Sequence, residues 1–442
     1  MPRVLHTADW HLGKRLHDFW LLDEQREALT RLLEVVDDER PDLVAVAGDL
    51  FDVPVPQVRA LQLWEWAADE IVGRRGVPMV VIPGNHDHAE RIAMNARMAR
   101  RAGLYVLNDL AAAHRPVRVA GVDVFGVPFH KPPHVRALAS RRDAEGRDLG
   151  DGSGRKTDVD ADGETDADAA GQLGDFDYDA AMGWLLERAR AERSGDAPSL
   201  LLAHAFVDGA GEEPDGEAAI VVGGAGGVRP GTLAGFDYVA LGHLHGPRTL
   251  AAPAPVRYAG SLYPYAFGEP NEKSVTVVDL PARPGGAAPV RTVPLPVRRR
   301  VRLVTGRSFE EVILAGEAAR AAQSADDERA REGGLDADDV PHPDDYLLVR
   351  VTDRDPIDHA LSRLREVHPH ALLEQPVVEV RSEARRLPGD ARTLRVEDAF
   401  AAFYESVFGE APNELEAEIL RSVLAGDTAD DEDTAGGRED AP

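Results

Sequence analysis

Five short segments of the chain carry side chains of the kind that hold metal ions. They are Asp9-Trp10-His11, Gly48-Asp49-Leu50-Phe51-Asp52, Gly84-Asn85-His86-Asp87, His204 at the end of Leu201-Leu202-Ala203, and Gly242-His243-Leu244-His245. An Asp and a His two residues apart just past a strand point the same way and reach one point, and so do His243 and His245. Asp49 has two carboxylate oxygens and can bridge two ions. Imidazoles, carboxylates and the Asn85 carboxamide make mixed N/O sites that suit Mn²⁺, Fe²⁺ or Zn²⁺ rather than Ca²⁺. Taken singly, each segment has a plain reading: a histidine such as His204 is more often a core residue than a ligand, and an isolated D-x-H is common. The weight lies in all five together, each directly after a predicted strand. The chain has no Cys, which excludes disulfides, zinc–thiolate sites, iron–sulfur clusters and thiol catalysis.

Strands must aim these side chains. The apolar runs Val4–Ala8, Leu43–Ala47 and Pro78–Ile82 end at Asp9, Gly48-Asp49 and Pro83-Gly84-Asn85. Helical periodicity fills the gaps over Glu24–Glu39 and Gln57–Arg74, and later strands are expected at Val122–Val127, Leu200–Ala203, Tyr238–Leu241 and Val275–Val278. Near-continuous apolar strands joined by helices describe sheets covered on their faces, an α/β domain. In such sheets ligands gather at the carboxyl ends of the strands, where the polar motifs lie.

The remainder of the chain bounds its setting. Its 442 residues suggest two or three domains, and 43% hydrophobic residues suffice for a sizeable core. Mean hydropathy is −0.30, no apolar run approaches the ~18–20 residues of a membrane span, and the first residues lack a secretory layout; a cytoplasmic protein is expected. Seventy-eight acids against 50 bases give −28, the opposite of a chain that carpets nucleic acid with lysines. Only Lys14, Lys131, Lys156 and Lys273 are lysines; a GC-rich genome or a salt-adapted proteome each account for that bias. Acidic, Gly-rich text fills about 141–179 and Ala322–Asp344, and 427–442 reads as a disordered acidic tail. None has EF-hand spacing. After the linker Pro281–Gly286 a smaller α/β domain is expected, with strands at Val301–Thr305, Tyr346–Thr352 and Pro376–Val380 and helices at Arg307–Ala322 and Ile357–Val367. Phe400, Phe403, Tyr404, Val407 and Phe408 then fall on one helical face.

The order D-x-H, G-D-x-x-D, G-N-H-D, H, G-H-x-H resembles that of the calcineurin-like metallophosphoesterases, over residues 3 to about 280. Within them, Leu5–Gly13, Ala47–Asp52, Gly84–Asp87 and the run Tyr258–Phe267 followed by Glu272-Lys273-Ser274-Val275 resemble the SbcD-type nuclease subunits. The resemblance implies a four-layer α/β sandwich over 1–280, a smaller α/β capping domain over 287–382 for DNA recognition, and partner-binding C-terminal helices over 394–425. It implies two divalent ions, Mn²⁺ first with Mg²⁺, Fe²⁺ or Zn²⁺ as alternatives. One is assigned to Asp9, His11, Asp49 and His245, the other to Asp49, Asn85, His204 and His243. His86 is then the catalytic residue that stabilises the charged phosphorus centre or protonates the leaving oxygen, with Asp87 holding its other nitrogen. Asp52 is either a supporting residue or a helix N-cap.

The same resemblance implies a 3′–5′ double-strand exonuclease and single-strand or hairpin endonuclease in DNA repair and recombination. Its partners would be a coiled-coil ATPase of the SbcC type and DNA ends and hairpins, in a homodimer within a heterotetramer, nucleoid-associated and with no membrane partner. Dimerisation is expected through Gln57–Arg74 or Ala89–Arg101. No G-x-x-x-x-G-K-[ST] occurs, so ATP use would lie in the partner. Lys14, Arg15, Arg91, Lys131 and the run Arg298–Arg302 are candidate phosphate contacts, or solvated surface bases. The competing reading is a metallophosphoesterase of small substrates, a cyclic-nucleotide phosphodiesterase or phosphomonoesterase; the capping domain and the Tyr258–Phe267 run argue against it.

Overall fold

A computed structural model describes residues 1–147, 176–210, 227–252, 255–286, 288–325, 342–353 and 355–376, and beyond them Phe400, Ala401, Tyr404, Ala411, Pro412 and Ala417. Most of the acidic stretches, the C-terminal helices and the tail lie outside these residues. The strands in chain order are β1 (Arg3–Thr7), β2 (Arg15–Leu16), β3 (Phe19–Trp20), β4 (Leu43–Ala47), β5 (Met79–Ile82), β6 (Leu104–Val106), β7 (Val117–Val119), β8 (Val122–Val127) and β9 (Ser199–His204). They continue as β10 (Tyr238–Gly242), β11 (Arg248–Leu250), β12 (Val256–Tyr258), β13 (Lys273–Asp279), β14 (Val290–Leu295), β15 (Val301–Arg307), β16 (Tyr346–Val351) and β17 (Ala371–Glu374).

Two six-stranded sheets, ordered β14-β13-β1-β4-β5-β6 and β11-β12-β10-β9-β8-β7, form the larger part. Alternation along β4 shows how they pack. Leu43 and Ala45 join Val80, Val124, Leu200, Leu202 and Ala240 in a core between the sheets. Val44 and Val46 face outward, onto the helices α1 (Leu22–Glu39) and α2 (Val58–Ala68). On the far side Leu201, Val239 and Leu241 meet Ala181, Met182, Leu185 and Leu186 of the helix Tyr178–Ala191. Helix, sheet, sheet and helix give four layers, as expected. With both faces covered, strands such as LVAVA and MVVI are apolar throughout. Among the described residues no helix is long and apolar enough to cross a membrane.

Several elements depart from their expected bounds. α2 ends at Ala68 and widens into a π-type turn over Asp69–Arg74. The expected Ala89–Arg101 helix is two pieces, Ala89–Ile92 and Ala96–Ala102, broken where Asn95 takes φ 64°. A helix over Pro132–Arg147 enters the region read as an acidic loop.

The smaller part is a parallel sheet, β15-β16-β17. Helices Phe309–Ala325 and Ala360–Val367 cover it through Phe309, Val312, Leu364 and Val367. Its third strand is Ala371–Glu374 rather than Pro376–Val380, of which 377–380 lie outside the described residues. The apolar segment before Pro376 pairs with β16, and proline, lacking an N–H, does not extend the ladder. Leu16, Leu21, Tyr263, Tyr265, Val301 and Tyr346 form a separate core joining this sheet to the nearby loops of the larger part. By contacts, Met1–Gln375 form one compact unit and Pro376–Pro442 a second. In the second, the Phe400 and Tyr404 rings lie 6.0 Å apart, one helical turn from each other.

Candidate metal centre

The motif residues converge at the carboxyl rim of the two sheets. Asp9 and His11 follow β1, Asp49 follows β4, and Asn85 and His86 follow β5, all from one sheet. His204 ends β9 while His243 and His245 follow β10, from the other. The first two loops are zipped together: Asp9 N–H donates to Gly48 O (3.0 Å), His11 N–H to Asp49 O (2.9 Å) and Leu12 N–H to Leu50 O (2.9 Å). Their backbone is strained to do this. Asp9, His11, Asp49 and His243 hold φ values of 52°, 42°, 50° and 108°, a region that costs non-glycine residues of order 1–3 kcal/mol and clusters at functional sites. Gly48 and Gly84 fit where a side chain would not. A Cβ on Gly48 would overlap the His204 ring, and one on Gly84 the Asp49 carboxylate.

Cross-sheet contacts fix the ligands. The Nδ1 of His204 lies 2.8 Å from Ala47 O, so it carries the proton and donates it there. Its Nε2 lies 3.0 Å from Asn85 Oδ1 and 3.3 Å from Asp49 Oδ2. Asn85 Oδ1 is also 3.0 Å from His243 Nδ1, and His243 N–H donates to Asp9 Oδ1 at 2.9 Å. His11 Nε2 sits 3.6 Å from Asp49 Oδ2 and 3.1 Å from His245 Nε2. Two groups of ligand atoms result, His11 with Asp49 and His86, and Asp9 with Asp49 and His204. Asp49 belongs to both.

The donor set fits a divalent cation. Asp9 Oδ2 and Asp49 Oδ2 are fully buried and accept no hydrogen bond, an arrangement that costs free energy unless a cation answers it. The facing Nε2 atoms of His11 and His245 likewise need a proton or a cation between them. Burial pushes the Asp9 carboxyl up to about 7. Burial opposes the charge on Asp49 too, but His204, His11 and His86 together hold it below the ordinary carboxylate range. His204 is raised to about 9, Asp49 and Asp9 outweighing the opposing pull of burial.

The surroundings redistribute several expected roles. His86 does not rest on Asp87: its Nδ1 lies 2.8 Å from the Asp52 carbonyl, which therefore takes the Nδ1 proton. The Asp87 carboxylate accepts instead from the N–H groups of Gly84 (2.9 Å), Leu50 (3.0 Å) and Phe51 (3.0 Å), tying the third loop to the second. The reason is local: with its oxygens claimed by three backbone donors, Asp87 serves the loop and not its neighbour's ring. Asp52 is not a helix N-cap, since Gln57 precedes α2; its carboxylate pairs with Lys14 at 3.0 Å and stands 3.7 Å from His11 Nδ1, a charge contact too long for a hydrogen bond.

The tyrosine run acts as scaffolding for the ligand loops. Tyr258 OH donates to Ala205 O (2.8 Å) and accepts from Val207 N–H (2.9 Å), behind His204. Tyr265 OH donates to Trp10 O, and its ring lies 5.5 Å from that of His11. Glu269, which the motifs did not single out, lies 3.2 Å from His245 Nδ1; its only sequence signal is a Glu just after the aromatic run, four residues before Lys273. The Arg298–Arg302 run is largely spent on protein contacts: Arg299 pairs with the buried Glu24, and Arg302 with Asp345 at 2.7 Å. Arg15 lies against Trp20, 4.8 Å from its ring centre, and Arg91 donates to Pro54 O at 3.3 Å.

Two family models match the chain: calcineurin-like phosphoesterase over residues 2–247 and the type 5 capsule protein repressor C-terminal domain over residues 299–408. The SbcD subunit of the SbcCD nuclease of Bacillus subtilis is 30% identical over 429 residues, 96% of this chain and 98% of that one. The protein of the same name from Staphylococcus epidermidis is 26% identical over 382 residues, 86% of this chain and 87% of that one.

Proposed function

Because the chain belongs to the SbcD nuclease family of calcineurin-like phosphoesterases, we propose that it cleaves DNA as the nuclease subunit of an SbcCD-type complex. In this reading it is a 3′–5′ double-strand exonuclease and a single-strand or hairpin endonuclease, acting in DNA repair and recombination in the cytoplasm. One observation carries the chemistry: the Asp49 carboxylate, buried and shared by both ligand groups, with an oxygen that no hydrogen bond satisfies.

Two divalent ions, Mn²⁺ foremost, would be held by Asp9, His11, Asp49, Asn85, His204, His243 and His245. Bound there, they supply the Lewis acidity that binds phosphate oxygens and acidifies a water. The protein's own groups do the rest. His86, its Nδ1 proton committed to the Asp52 carbonyl, exchanges a proton with the substrate through Nε2 and stabilises charge as the leaving oxygen departs. Asp87 ties the His86 loop to the Asp49 loop by accepting from the backbone N–H groups of Leu50 and Phe51. Lys14, near His11 and paired with Asp52, adds a positive charge for a DNA backbone that the net charge of −28 otherwise repels. An SbcC-type ATPase is the expected partner, engaged through the C-terminal segment, with the chain as a homodimer within a heterotetramer.

The test is cleavage of a labelled hairpin-ended duplex with Mn²⁺, beside His86→Ala. Degradation by the parent and not by the variant is expected. Turnover of a small phosphodiester with intact DNA would overturn the nuclease reading.

A further inference from the structure

The mechanism above leaves one buried charged pair unused. Glu269 and Lys273 are each almost wholly enclosed, and their side chains meet at 2.7 Å. Burying two charges is costly, so such a pair is retained for what it holds in place. Glu269 divides its two oxygens. Oε2 takes the Lys273 ammonium, and Oε1 lies 3.2 Å from Nδ1 of His245. Lys273 donates further to Ser261 Oγ (3.0 Å) and to the His245 carbonyl (3.2 Å). Side chain and backbone of His245 are therefore gripped by the same pair. With the Lys273 ammonium at 2.7 Å, the Glu269 carboxylate is an ion-paired anion and an acceptor.

We propose that Glu269, charged and fixed by Lys273, is the positioning residue for His245: it locks the Nδ1–H tautomer and turns the Nε2 lone pair toward His11 and the metal. The geometry requires this direction. An anionic carboxylate accepts and cannot donate, so Nδ1 bears the hydrogen; Nε2, 3.1 Å from His11 Nε2, is then the ligating atom. A carboxylate behind a ligating imidazole also raises its basicity, and removing such a partner typically weakens metal binding ~10–100-fold. Glu269 is anchored in turn by its own loop. Two residues on, Asn271 accepts from Val301 N–H (2.8 Å) and donates to Val301 O (3.0 Å), so the loop that grips His245 is clipped to β15 of the smaller sheet.

The inference rests on His245 being a metal ligand, and its test separates the two statements. Titration of the full-length metal-free chain with Mn²⁺ alone, followed by calorimetry, compares the parent with Glu269→Gln/Lys273→Met, which removes both charges together and leaves no buried ion unpaired. An affinity loss of ~10–100-fold is expected, with a changed visible spectrum when Co²⁺ replaces Mn²⁺. Equal affinity and an equal Co²⁺ spectrum in parent and variant overturn the positioning role. No metal binding by the parent overturns the metal-centre reading instead. Should the double variant not fold, the parent alone decides: long-range ¹H–¹⁵N spectra of its metal-free form show His245 as the Nδ1–H tautomer, and an Nε2–H tautomer refutes the proposal.

Discussion

The two rims of the same pair of sheets are built from similar residues and behave in opposite ways. At the amino rim, Asp237 precedes β10 and is nearly buried, yet its polar capacity is used. One oxygen accepts from Ser199 N–H and Ser199 Oγ, both at 2.7 Å, and the other from Gly285 N–H at 2.6 Å. At the carboxyl rim, Asp9 and Asp49 are buried more completely, and each keeps an oxygen without a hydrogen bond. Their backbones are also left-handed, which is unfavourable for aspartate. The first rim spends its carboxylate on holding the fold. The second holds strained backbone and buried oxygens without hydrogen bonds, and that difference, more than residue type, marks where a ligand belongs.

Substitutions can break this contrast or sharpen it. Asp49→Asn keeps the Oδ1 acceptor that receives His86 N–H at 2.8 Å but removes the bridging charge. Cleavage should fall about 10⁴-fold, as several kcal/mol of metal-supplied stabilisation is lost, and calorimetry should show weakened Mn²⁺ binding. Unchanged cleavage and Mn²⁺ affinity would mean that Asp49 is a structural residue like Asp237. His86→Ala should lower kcat about 10³-fold and leave Mn²⁺ affinity within a few-fold of the parent, as calorimetry would show. Asp237→Ala is the mirror case: about 1–3 kcal/mol of stability lost in urea melts as buried donors lose their acceptor, with metal affinity untouched.

The smallest effect is pH-dependent and lies midway between the rims. His6 is buried between the sheets, 3.0 Å from Tyr238 OH and 3.2 Å from Leu241 O, and burial lowers its pKa from 6.5 to about 3. The unfolded chain therefore binds a proton that the folded chain refuses. Its contribution is fully present above pH ~6.5 and is lost as pH falls toward 3, at about 1.4 kcal/mol per pH unit inside that window. Urea melts at pH 7 and pH 5 should show this slope reduced in His6→Gln. An unchanged slope would assign the acid sensitivity to other groups.

The sequence revealed much of this architecture because the features it encodes most strongly are local. Doubly covered strands are continuous apolar runs, and Asp9, Asp49, Asn85, His204 and His243 sit directly at their ends, so strand placement and ligand placement were the same inference. What stayed hidden depends on contacts across long separations. Glu269 meets His245 only because the chain turns back through Ser261, and neither residue advertises the other. His86 is held by a backbone carbonyl, which no side-chain motif can signal, and adjacency in sequence suggested Asp87 in its place. The arginine run showed charge but not that Glu24, 275 residues earlier, would meet Arg299. The last strand of the smaller sheet was displaced because Ala371–Glu374 is short and its neighbour after Pro376 equally apolar.

The division of the candidate ligands between the sheets also bears on how the protein is made. The sheet that supplies Asp9, His11, Asp49 and Asn85 takes β1, β4 and β5 from the start of the chain, while His204, His243 and His245 come from strands that follow. A ribosome must therefore release residue 245 of 442, and the two sheets must close on each other, before the full donor set exists. A truncated or half-folded chain carries only part of a chelate. Cutting power of this kind is withheld from any copy that ends before His245, with no inhibitor needed to restrain it.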